Sequence, residues 1–102
     1  MTIHHRRRHQ DVRTSCSDHA VRRMRQRCIS FRRMDAAIRY GDEYRTHSGY
    51  IYFLSSRTCR RLQRTLPPAE AREIARFENC YVVEGDDGMI VTVGHRTKRI
   101  RR

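Results

Sequence analysis

Residues 80–93 read CYVVEGDDGMIVTV. Two runs, CYVVE and MIVTV, enclose Gly85-Asp86-Asp87-Gly88, and β-branched residues on both sides of a Gly/Asp turn are the signature of a β-hairpin. Strand alternation places Met89, Val91, Val93 and His95 on one face and Ile90, Thr92 and Gly94 on the other. The chain therefore contains antiparallel sheet, and the rest of the reading asks what packs on it.

Moving upstream, Pro67-Pro68 opens a predicted helix over residues 69–78, with Glu70 and Glu73 near its start. Its inward residues are Ala71, Ile74 and either Phe77 or Ala75, and Asn79 ends it. Cys59, Leu62 and Leu66 keep helical spacing, which favours a short helix over residues 56–66. Before that the period is two. Residues 43–47 and 50–55 form a second predicted hairpin about Ser48-Gly49.

Two helices precede it. Ser15 or Ser17 caps the first, over residues 18–28, where Ala20, Val21, Met24 and Cys28 make the apolar stripe. Ser30 caps the second, over residues 31–40, with Ile29 and Met34 at the two positions of a hydrophobic staple. Phe31, Met34 and Ile38 face inward, and Gly41 is a C-terminal stop. The fold class is α+β, with two N-terminal helices packed on a small antiparallel sheet. Residues 1–14 lack apolar periodicity and read as a flexible basic arm, ahead of a single domain over residues 15–102 with a basic C-terminal tail.

Charge narrows the function. The chain has 102 residues and a formal net charge of +12. Residues 1–33 hold ten Arg against two Asp, and residues 95–102 hold four Arg and one Lys with no acid. The middle is close to neutral, so the basic charge belongs to the two ends. Such a chain seeks a polyanion, with nucleic acid foremost, and Arg offers planar bidentate contacts to phosphate. No run of about 18 apolar residues exists, so no membrane partner is expected. Neither a signal-peptide core nor a dinucleotide or P-loop motif is present, which points to a cytoplasmic protein without a cofactor. The four cysteines form no C-x-x-C pair. Cys16 and His19 are the only short Cys/His pair, so no metal site is expected.

Three constellations carry candidate chemistry. His19, Arg23 and Arg27 fall in line along one helix edge, able to hold a phosphate and to exchange a proton, or simply to face solvent. His95, Arg96, Lys98 and Arg99 follow directly from a strand. There His95 can serve as general acid or base in cleavage by the RNA 2′-hydroxyl, with Arg stabilising the phosphorane, or the tail can bind phosphate without catalysis. Tyr40, Tyr44, Tyr50 and Tyr52 lie beside Arg45 and Arg57, and an exposed tyrosine such as Tyr52 can stack on a base. The alternative is a half-buried strand with no ligand.

The run SDHAVRRMRQRCIS, residues 17–30, resembles the signature HA-x-x-R-M-x-x-R-x-I-S of a family of small bacterial proteins. VVEGDDGMIVTVGHR, residues 82–96, resembles that family's closing hairpin. The family is related to the RelE and BrnT toxins of toxin–antitoxin systems. The resemblance implies a RelE/BrnT-like ribonuclease-type fold, RNA as substrate and an acidic antitoxin protein as partner. His19, Arg23 and Arg27 match its helix signature, and His95 and Arg96 match the end of its last strand. Cys28 stands where the family usually has a small residue, and the basic tail here is longer. The leading expectation is an RNA-binding, toxin-like ribonuclease that needs no metal. Its rivals are a non-catalytic nucleic-acid-binding module and a basic protein that docks an acidic protein.

Overall fold

The computed structural model describes residues 16–96. The basic arm assigned to residues 1–14 and the tail residues Lys98 and Arg99 lie outside the described residues. The chain is α+β. Its elements run α1 (Asp18–Arg27), α2 (Phe31–Tyr40), β1 (Asp42–Thr46), β2 (Gly49–Phe53), α3 (Ser56–Thr65), α4 (Pro68–Arg76), β3 (Cys80–Gly85) and β4 (Ile90–His95). The four strands form one antiparallel sheet in the order β1-β2-β3-β4.

Local chemistry sets the helix boundaries. The Ser17 side chain accepts from the Ala20 N–H, Ser30 from Arg33 and Ser55 from Thr58, each satisfying a donor that the first turn leaves over. α1 ends on Cys28 at φ 53, with the Cys28 N–H returning to Arg25 O and the Ile29 N–H to Met24 O at 2.9 Å. That is a Schellman motif with cysteine at the left-handed position where glycine is usual. Ile29 and Met34 are both buried, so the staple closes the two-helix corner.

Gly41 stops α2 for a different reason from the one its type suggests. Its backbone is extended, at φ −69 and ψ 165. A Cβ there would run into the Ala37 carbonyl oxygen and lie 2.9 Å from that of Phe53. Close approach of two chains, rather than a left-handed turn, excludes a side chain.

One face of the sheet meets the helices. α1 packs on β4, α2 packs on β3 and β2, and α3 packs on α4. Ala20, Met34, Ile38, Cys59, Leu62 and Ile74 from the helices join Tyr52, Leu54, Cys80, Val82, Ile90 and Val93 from the sheet side in one core. Burying such residues contributes about 1.5–3 kcal/mol each for the larger ones.

The alternation expected for β4 is broken once. Val82 pairs with Val93, Val83 with Thr92, and Glu84 with Ile90, so Val91 is an extra residue in a bulge. Ile90 therefore shares the core face with Val93, and Val91 is 37% exposed instead of buried. Beyond the bulge the expected phase holds. His95 sits opposite Cys80 on the helix side of the sheet, at its rim.

Candidate phosphate-binding corner

The C-terminus of α1, the N-terminus of α2 and the end of β4 converge on His95. Its Nε2 lies 3.2 Å from Arg33 NH1 and 3.4 Å from the Arg27 carbonyl oxygen. An arginine can only donate. When Nε2 accepts from Arg33 the ring is neutral with its proton on Nδ1; with a proton on Nε2 it turns to the Arg27 carbonyl.

Arg33 is held on three sides. NH2 donates to the Arg76 carbonyl oxygen at 2.9 Å, at the end of α4, and the guanidinium carbon lies 5.2 Å from the centre of the Phe77 ring. A cation fixed by a helix C-terminus and an aromatic face is positioned before any ligand arrives. Arg96 continues the pairing beyond β4, its N–H donating to Asn79 O at 2.8 Å. Its Nε is enclosed and has no hydrogen-bond partner among the described residues. Among those residues, no carboxylate forms an ion pair with Arg27, Arg33 or Arg96. Among the described residues the Arg33 guanidinium therefore stands beside an imidazole with no carboxylate paired to it.

The row His19, Arg23 and Arg27 does not act as one unit. Arg23 Nε donates to His19 Nε2 at 3.3 Å, and Arg23 NH1 donates to Gln26 at 3.2 Å, on the exposed side of α1. Arg27 turns the other way. Its NH1 donates to Val93 O at 2.6 Å and to the Tyr81 hydroxyl at 3.3 Å. His19 and His95 stand at opposite ends of α1. Eight residues of helix separate His19 from Arg27, about 12 Å, so the two histidines do not form an acid–base pair about one phosphate.

The tyrosine expectation needs correction. Tyr52 is fully buried, and its hydroxyl donates to Glu84 Oε1 at 3.0 Å. Its ring lies in the core and is closed to a base. Tyr40 and Tyr50 also pack against the core. Arg45 sits 4.8 Å over the Tyr50 ring and 3.4 Å from Asp86, both at an exposed edge. It remains accessible to a phosphate, but away from His95. Among the described residues, no group of three His, Cys, Asp or Glu side chains is arranged to hold a metal ion, and no helix is long and apolar enough to cross a membrane.

Arg33 and Phe77 escaped sequence reasoning. Arg33 reaches His95 across 62 residues, and no local pattern marks such a contact. The visible hint was the Arg32-Arg33 pair in the first turn of α2, where the helix dipole disfavours cations. Comparison with known proteins adds no further constraint: no family model, curated protein or solved structure matches the chain.

Proposed function

We propose that this chain binds RNA through its phosphates at the corner formed by Arg33 and His95, with Arg96 next in the chain at the end of β4. The observation that carries this reading is the Arg33 guanidinium, fixed by the Arg76 carbonyl and the Phe77 ring beside His95, with no carboxylate paired to it among the described residues. Support comes also from the formal charge of +12 and from the resemblance of residues 17–30 and 82–96 to the relatives of RelE and BrnT toxins. An acidic antitoxin-type protein that covers the corner belongs to the same reading. The test is anisotropy of a labelled single-stranded RNA across a salt series. Arg33→Ala weakens binding and lowers the slope of log K against log salt by about 0.7, the loss of one phosphate contact on a single strand. An unchanged slope would remove Arg33 from the interface.

A second reading, cleavage without a metal, is favoured by the position of the His95 Nε2, 3.2 Å from Arg33 NH1 at the same corner. As base, His95 takes the 2′-hydroxyl proton. The 2′-oxygen then attacks phosphorus, Arg33 stabilises the charged phosphorane, the bond from phosphorus to the 5′-oxygen breaks to leave a 2′,3′-cyclic phosphate, and water protonates the departing 5′-oxygen. Total RNA incubated with the protein in EDTA tests this. Cleavage lost in His95→Ala and kept in His19→Ala supports it; intact RNA that is nevertheless bound leaves binding alone.

A further inference from the structure

An antiparallel sheet covered by helices on one side usually shows polar residues on the other. This one does not. The face turned away from the helices carries Phe53 and Tyr81 side by side, in register with Gly94, and Tyr44, Ile51 and Val83 in the next row, in register with Thr92. None of these five apolar residues belongs to the core or packs against it among the described residues, and each is partly exposed. Two rows of aromatic and aliphatic side chains are therefore only partly covered among the described residues.

Charge sits at one end of these rows. Arg27 reaches round β4, the last strand of the sheet, to donate to the Tyr81 hydroxyl. Arg96 follows Gly94 at the same end by strand alternation. Arg33 and His95 occupy the helix side of that end. A backbone held along the end of β4 would leave its bases beside Tyr81 and Phe53.

We infer that this open face is a stacking platform for unpaired bases of single-stranded RNA, with Phe53 and Tyr81 as its rings; the inference rests on the phosphate-binding reading above. Aromatic rings next to guanidiniums are how proteins take up splayed, single-stranded bases. Charge decides against a second copy of the chain as occupant. Two chains of formal charge +12 repel, whereas a polyanion is attracted.

The experiment compares three ligands of equal length: a single-stranded RNA, the same backbone without bases, and an RNA duplex. Wild-type protein is expected to prefer the single strand over the abasic strand by tenfold or more, the value of a stacked base. Phe53→Leu keeps an apolar side chain but removes the ring. It is expected to cut that preference about tenfold, with a thermal melt confirming that the variant is folded. Equal affinity of the wild type for the base-bearing and abasic strands overturns the platform and leaves the phosphate corner standing. A duplex bound as tightly as the single strand overturns it too. Binding to none of the three removes both readings. A dimer in sedimentation that Phe53→Leu dissociates would assign the face to self-association and overturn the inference.

Discussion

The Arg27 guanidinium donates to the Val93 carbonyl oxygen at 2.6 Å, fastening the last turn of α1 to β4 across 66 residues of sequence. The same NH1 reaches the Tyr81 hydroxyl at 3.3 Å on the neighbouring strand. Arg27 is thus a structural tie as well as a cation at the rim of the sheet. A hydrogen bond from a charged donor contributes about 1.5–3 kcal/mol. Partial exposure puts Arg27 toward the lower end of that range.

Arg27→Ala is therefore expected to lower stability by about 1.5–2 kcal/mol in urea denaturation. Arg27→Lys is expected to recover part of the loss, because both bonds leave from one nitrogen and an ammonium also carries more than one donor. Arg23→Ala, whose contacts are with His19 and Gln26 on the exposed side of α1, changes stability by less than about 0.5 kcal/mol. Equal losses for Arg23 and Arg27 would show that the signature arginines play one role, against the divided roles described here.

Gly94 makes the next prediction. It is buried under Tyr81 and Arg27, and a Cβ built on it would lie 2.5 Å from the Tyr81 hydroxyl and 2.6 Å from Arg27 NH1. An aromatic ring laid across a strand glycine shields the backbone that glycine leaves bare. Gly94→Ala must push that ring aside and is expected to cost about 1–3 kcal/mol. The listening partner is Tyr81. In the Tyr81→Ala background the same substitution should cost less, since the ring is gone and only the end of the Arg27 side chain still has to move. A double-mutant cycle that comes out additive would dismiss the contact.

How far the sequence carried the fold can be judged from single residues. Ser17, Ser30 and Ile29 bound the first two helices because capping is local, and the side chain and its target lie within four residues. Period two likewise identified both hairpins. It did not say which face is covered. In GYIYFL, residues 49–54, both faces are apolar, so the pattern alone lets Tyr52 face outward, whereas Tyr52 and Leu54 are buried and Ile51 and Phe53 lie on the face away from the helices. The Val91 bulge has no local marker either, because an extra residue is defined only against the partner strand. At the candidate site His95 and Arg96 were legible from their place after a strand. Arg33 and Phe77 were not, since the contacts of Arg33 with Phe77 and with His95 are made by tertiary packing.

The buried thiols predict how stability responds to alkali. Burial raises the Cys80 thiol to about 12, against a partial lowering by Arg33. Burial raises Cys59 to about 11, with the charge of Glu78 adding to it. Cys59 also donates its S–H to the Ile74 carbonyl at 3.7 Å, a contact only the protonated thiol makes. The unfolded chain begins to release these protons near the ordinary thiol value of 9.0, while the folded chain keeps them. The unfolded state therefore binds fewer protons than the folded one, and stability falls as pH rises from about 9 toward 11–12. Each thiol contributes a slope of up to about 1.4 kcal/mol per pH unit in that window and nothing below it. Urea titrations at pH 8, 9 and 10 should show the decline in wild type and a shallower one in Cys59→Ala/Cys80→Ala, whatever the double variant loses in absolute stability. Tyrosine ionisation is common to both proteins and cancels in the difference. Parallel declines would mean that neither thiol is held protonated by the fold. Exposed Cys28 supplies an internal control: at pH 8 a thiol reagent should label it at once, and reach Cys59 and Cys80 only as the protein unfolds.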